Sequence, residues 1–314
     1  MLTLRYLSLL ILVVCWMGVT QVTSLKPPNP KHGDFDPHGE LERTFVAARI
    51  NELTDEHDVN PWEVSGLFEG DMLWDPHLSR NGILNVTGRW TNGTVPYYIE
   101  EGNFTNEEKM VILSAFSEYH NKTCLQFRPY RTGDEHWLVF RSNNAGCWSS
   151  VGMQSEGQVV NLHSPGCVKH GVVVHEVLHA LGFFHQQSAS DRDEYVRILW
   201  ENIDPGHEHN FNKYNESNES VVTGYGVEYD YGSVMHYSGK AFSKNDLPTM
   251  EPLKPNITTL GQRKGLSVKD VIKLERMYEG RCVQRTSDVS EEDENTFIDE
   301  INSLYGLLNG SLFP

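Results

Sequence analysis

The stretch His175-Glu176-Val177-Leu178-His179-Ala180-Leu181-Gly182-Phe183-Phe184-His185 gathers three imidazoles and one carboxylate in a short span of chain. Residues four apart share one face of a helix, so His175 and His179 can present two ring nitrogens to one ion. Gly182 suits the end of that helix, where a left-handed backbone turns the chain sharply. His185 can then return to supply a third nitrogen. Three neutral imidazoles leave one position open on a tetrahedral zinc ion, which is the reactive rather than the purely structural arrangement. Zinc lowers the pKa of water bound to it to about 7. Glu176, beside His175, can therefore take a proton at neutral pH and return it to a leaving amine. The expectation is one zinc ion per chain and hydrolysis of peptide bonds. By chance, His-Glu-x-x-His arises in about a few per cent of chains this rich in histidine; with Gly182 and His185 added, the figure is roughly one in ten thousand.

A second element follows at Ser233-Val234-Met235-His236-Tyr237. On its own it is a short apolar stretch whose methionine belongs in a core. Behind a long zinc motif it is similar to the Met-turn of the metzincins, in which the methionine floors the ligands. Tyr237 could then approach the metal from the side.

These groups need a scaffold. Val172–Leu181 reads as the helix that carries the first two histidines. Thr105 followed by Glu108 makes a capping box ahead of Val111, Ile112, Ala115, Phe116 and Tyr119 at helical spacing. Ser267 and Asp270 start another helix, with Val271, Leu274 and Tyr278 on one face. Strands are expected after the turn at Arg89–Gly93, and at Trp137–Phe140, Ser149–Met153 and Val159–Leu162. Strands with helices gathered around them predict an α+β fold. Trp90, Trp137, Trp148 and Trp200 are expected in the core or the cleft walls. His120, His170, His207 and His209 are expected at the surface or hydrogen-bonded, not as ligands.

Together these residues resemble the astacin family of metalloendopeptidases. The resemblance covers most of residues 68–282: the long zinc motif, Asp191-Arg192-Asp193-Glu194-Tyr195-Val196, Ser233–Tyr237, and Gly261-Gln262-Arg263 with Leu266-Ser267 before the last helix. It implies a two-subdomain zincin/metzincin catalytic domain with a twisted, mostly parallel sheet, an active-site helix and a Met-turn. It implies that Tyr237 binds zinc at rest and swings away to stabilise the oxyanion, a role worth about 2.7–4 kcal/mol by general precedent. It also implies disulfides Cys124–Cys282 and Cys147–Cys167. Phe68-Glu69-Gly70-Asp71 is similar to the family's inhibitory motif, in which the aspartate occupies the open metal position. Asp71 is thus an expected fourth metal ligand, released by a protease that cleaves near Arg80–Asn81. One position departs from the family pattern. A glutamate usually follows the third histidine and meets the newly made N-terminus in a charged, buried contact; here the residue is Gln186, which offers no charge.

The remaining sequence sets the surroundings. Arg5 ahead of the apolar run Leu7–Val14, with small residues near Ser24, reads as a signal peptide over 1–24. Residues 25–80 read as an inhibitory propeptide, 81–282 as the catalytic domain and 283–314 as an acidic tail. Removing the signal removes Cys15 and leaves four cysteines, an even set that suits two disulfides in an exported protein. Asn-x-Ser/Thr sequons at Asn85, Asn92, Asn103, Asn121, Asn215, Asn218, Asn256 and Asn309 agree with secretion. The net charge of −17 excludes the basic stripe that nucleic acid requires, and no stretch after the signal reads as a membrane span. The expected partners are protein or peptide substrates and the activating protease. The tail segment Phe297–Leu308 is expected to be a disordered end with a sticky patch, ahead of the alternative of an oligomerisation helix. Two other readings of the histidines stand beside this one: a secreted zinc-holding protein that does not cleave, and a different protease clan whose third ligand is a distant glutamate.

Overall fold

A computed structural model describes residues 25–30, 39–53, 59–73, 88–143, 145–154, 156–214, 224–280, 282 and 291–310. The expected signal segment, the Arg80–Asn81 junction and the sequons at Asn85, Asn215 and Asn218 lie outside these residues.

Local chemistry starts the helices. Helix α1 (Glu40–Glu52) buries Val46 and Ile50. At the start of α2 (Asn106–Lys122), the Glu108 N–H donates to the Thr105 hydroxyl at 3.2 Å, and the Glu108 carboxylate accepts from the Thr105 N–H at 2.9 Å. This satisfies two donors the helix would otherwise leave orphaned. Its buried face carries Ile112, Leu113, Ala115, Phe116 and Tyr119. Helix α3 (His170–Leu181) is buried from Gly171 to Leu181. Its run of β-branched valines is weakly helical by propensity, so tertiary packing must hold it. Helix α2 is one such neighbour, and the Tyr119 hydroxyl donates to the Val174 carbonyl at 2.7 Å.

A five-stranded sheet lies beside these helices in the order β2 (Gln126–Pro129), β1 (Thr94–Ile99), β3 (Leu138–Arg141), β5 (Gln158–Leu162), β4 (Cys147–Ser149). Three of the pairings are parallel; β4 runs antiparallel to β5 at the edge. Fully buried strands such as β3 and β5 fit the covered faces of a mostly parallel sheet. A small antiparallel pair, β6 (Val196–Ile198) with β7 (Met250–Pro252), belongs to a second apolar cluster of Val196, Ile203, Phe211, Tyr229, Tyr237, Ala241 and Met250. The main core packs around the sheet, α2 and α3. Two cores, with the zinc-motif helix in the first and Tyr237 in the second, match the expected α+β metzincin-like architecture. Both expected disulfides, Cys124–Cys282 and Cys147–Cys167, are present.

Three expectations are corrected. The strand expected at Ser149–Met153 ends at Ser149. Gly152 then takes a left-handed backbone and donates its N–H to the His179 carbonyl, turning the chain against α3. Trp200 is 48% exposed and outside the core, unlike Trp90, Trp137 and Trp148. The segment Phe297–Leu308 is helical: it lies in α5 (Glu291–Gly310), which packs against α2 and β2. Phe297 and Leu304, two turns apart, are buried, the Phe297 ring meets His120 at 4.6 Å, and the Tyr97 hydroxyl donates to the Glu300 carboxylate at 2.5 Å. The face carrying Phe297 and Leu304 is therefore covered by the chain's own domain, while Ile298 and Tyr305 stay exposed.

Candidate metal centre

Helix α3 carries His175 and His179 one turn apart. Gly182 closes it at φ 114°, a left-handed backbone that calls for glycine. The chain then returns with His185. All three imidazoles are fully buried.

Each ring has its Nδ1 engaged. His175 Nδ1–H donates to the Val234 carbonyl at 2.8 Å, and His179 Nδ1–H donates to the Phe183 carbonyl at 2.7 Å. His185 Nδ1 meets the Glu69 carboxylate at 2.9 Å. These contacts fix ring orientation and leave Nε2 for a metal. The three Nε2 atoms converge on Asp71, at 2.9 Å for His175 and 3.3 Å for His179 and His185. One ligand atom from each of these four residues lies within 4.8 Å of all the others.

The donor set fits zinc on a further observation. His179 Nε2, Asp71 Oδ1 and both Glu176 carboxylate oxygens are buried without a hydrogen-bond partner. Native interiors rarely leave such atoms orphaned, and a cation at the point of convergence explains the first two. Imidazoles with a carboxylate are ordinary zinc ligands. Burial, with the Asp71 charge adding to it, pushes the Glu176 carboxyl well above its usual range. Burial pulls His175 down to about 4. At His185 burial acts in the same direction, but Asp71 and Glu69 override it and push the imidazole up to about 9. A bound dication would invert this balance by favouring neutral imidazoles and charged carboxylates.

The turn at 233–237 lies against this centre. Val234 orients His175, and the Met235 carbonyl accepts the Gln186 N–H at 2.9 Å. Met235 is buried in the main core. The Tyr237 ring lies tilted at 4.7 Å from the His185 ring, yet its hydroxyl donates to the Glu69 carbonyl at 2.6 Å, pointing at residues 60–73.

Residues 60–73 cover the site. Trp62 stacks on His175 at 4.0 Å. The buried Glu63 carboxylate accepts from the Ser238 N–H and hydroxyl at 2.6 and 2.7 Å. Glu69 accepts from the Tyr214 hydroxyl and donates its N–H to Asn210 at 3.1 Å. Beyond the aspartate, the chain joins the sheet edge: Ser149 N–H donates to the Asp71 carbonyl and Leu73 N–H to the Ser149 carbonyl. The Met72–Ser149 bridge is parallel. Gly70 has φ 96°, and a Cβ would lie 2.9 Å from the Trp62 carbonyl oxygen. Sequence reasoning reached Asp71 but not Trp62, Glu63, Glu69 or Tyr214. Only Glu69, inside the Phe-x-Gly-Asp motif, carried a local signal. His170, expected to be hydrogen-bonded and no ligand, bonds Ser114 and Glu118.

Comparison with known proteins defines the class. Residues 83–279 match the family model described as Astacin, a peptidase family. Seminal metalloprotease 1 of Drosophila melanogaster is 40% identical over 229 residues, covering 71% of this chain and 90% of that protein. Zinc metalloproteinase nas-13 of Caenorhabditis elegans and human meprin A subunit beta are each 39% identical, over 64% and 81% of this chain. This chain spans 43% and 34% of the lengths of those two proteins. The solved structure of high choriolytic enzyme 1, a hatching enzyme zinc-protease from Oryzias latipes, aligns with TM-score 0.55 and 32% identity. It covers 68% of this chain and 100% of its own. The chain belongs to the astacin family.

Proposed function

We propose that this chain is a secreted zinc-dependent endopeptidase made as a zymogen, with protein or peptide substrates. The observation that carries the reading is the convergence of His175, His179 and His185 Nε2 atoms beside a buried, unpartnered Glu176. Zinc, when bound there, supplies Lewis acidity that polarises the substrate carbonyl and acidifies water. Glu176 takes the proton from the attacking water and delivers it to the leaving amine. Once the Glu69 carbonyl is gone, Tyr237 is freed to donate its hydroxyl to the developing oxyanion.

Residues 25–80 act as the inhibitory leader. Asp71 occupies the position a substrate carbonyl or water needs. The parallel addition to β4 lays the leader along the sheet edge that an extended peptide could otherwise use. Cleavage near Arg80 by another protease releases it. Secretion is supported by the two disulfides and by exposed sequon asparagines at Asn92, Asn121 and Asn256. Among the described residues no helix is long and apolar enough to cross a membrane.

The latch makes a direct prediction. Full-length protein carrying Asp71→Ala should hydrolyse a peptide substrate without cleavage at Arg80, on the order of tenfold or more above the uncleaved native chain. Equal, baseline rates for both uncleaved proteins would remove Asp71 from the inhibitory role.

A further inference from the structure

We infer that Lys273 is the internal anchor of the third-ligand loop, holding Gln186 and through it His185 with an ammonium group that the chain itself carries. The inference rests on the proposed zinc site. Gln186 directly follows His185, and its side-chain oxygen accepts from Lys273 Nζ. Both residues are buried, at 8% and 6% exposure.

Lys273 is an unusual place to bury a cation, because lysine is rarely fully enclosed without a partner. Its position on helix α4 (Val268–Met277) gives the reason. Ser267 and Asp270 cap this helix reciprocally. The Asp270 carboxylate also accepts from the Ser233 hydroxyl at 2.6 Å and the Val234 N–H at 3.0 Å. Val234 in turn receives the Nδ1–H of His175. Asp270 and Lys273 are three apart and share a face of the helix. One face of α4 therefore reaches two ligands: Asp270 through Val234 to His175, and Lys273 through Gln186 to His185. Burial, with Lys269 adding to it, holds the ammonium below its usual range, while Asp270, Asp230 and Asp191 oppose that shift. Gln186 and Lys273 also line a cavity of about 250 Å³, which is large enough for water to serve the donors that Gln186 does not use.

The resemblance assigns the contact at residue 186 to a newly made N-terminus meeting a glutamate. Here the acceptor is neutral and an ammonium is already in place. A second one arriving beside it would meet like charge in a buried setting. The third-ligand loop is thus held before and after release of the leader, wherever the cut falls.

The test follows zinc release to a chelator from the full chain, read alongside zinc content and circular dichroism. Lys273→Met keeps the apolar stem and removes the donor; Gln186→Met removes the acceptor. Each should speed zinc release about 10–100-fold, the usual effect of losing a group that orients a metal ligand. The double variant should be no worse than either single one, because both remove the same contact. Lys273→Arg should stay within about threefold of native. In cleaved protein, Lys273→Met should lower kcat with little change in KM, and inserting Gly-Ser after Asn81 should change neither release nor kcat. Native release rates in both single variants, multiplicative losses in the double variant, or an insertion as damaging as Lys273→Met would overturn the inference. A native chain holding no zinc would instead refute the metal site itself.

Discussion

Protein carrying His185→Ala is expected to leave purification without zinc, whereas the native chain carries one ion. The imidazole is fully buried and is, among the described residues, one of three that converge at the centre. Losing an outer partner of a ligand weakens metal binding about 10–100-fold, so losing a ligand should exceed the upper end of that range. The substitution also strands Glu69, whose carboxylate meets His185 Nδ1 at 2.9 Å. Asp71 cannot stand in for the lost nitrogen, since its carboxylate already approaches the same point as His175 and His179. Metal analysis after chelator challenge reads the result. Retention of stoichiometric zinc would place the third ligand elsewhere and revive the reading of a clan that uses a distant glutamate.

Glu176→Ala is expected to do the reverse, keeping the metal and losing the chemistry. Nothing in the geometry makes Glu176 a ligand, for the metal-ligand cluster consists of Asp71 and the three histidines. Its two carboxylate oxygens are buried and unpartnered. Burial, with Asp71 adding to it, raises its pKa; in protein made without residues 25–80, burial alone would remain. General acid–base catalysis contributes about 10²–10⁴-fold, so kcat should fall by that factor, about 3–5 kcal/mol of barrier. Thermal stability should hold or rise, because alanine removes a buried carboxyl group whose oxygens have no hydrogen-bond partner. Undiminished hydrolysis by zinc-loaded Glu176→Ala protein would remove the mechanism.

The parts of this molecule that were legible in the sequence are those set by neighbours along the chain. Helix α3 starts two residues before the expected position and ends where Gly182 predicts. The capping box at Thr105 and the helix start at Ser267 are as expected, because each is a hydrogen-bonding pattern local to a few residues. The order β2-β1-β3-β5-β4 was not legible, since parallel pairing joins residues far apart in sequence and leaves no local trace. The same holds for the cover over the site. Trp62 reaches His175, Glu63 reaches Ser238 and Glu69 reaches Tyr214 across more than 100 residues each. At Gln186 the sequence showed that a carboxylate was missing, but it could not show that the amide meets the Lys273 ammonium, 87 residues away. The tail illustrates the remaining limit. Its apolar spacing was visible, but whether that face meets solvent, another copy or its own domain depends on the surface of α2 and β2.

The most direct measurement of the central claim is hydrolysis of an unstructured peptide by leader-free protein, followed through zinc removal and return. The account predicts that a chelator takes the rate to the uncatalysed level, and that one equivalent of zinc per chain restores it. Hydrolysis that continues undiminished in protein shown to be metal-free would contradict it.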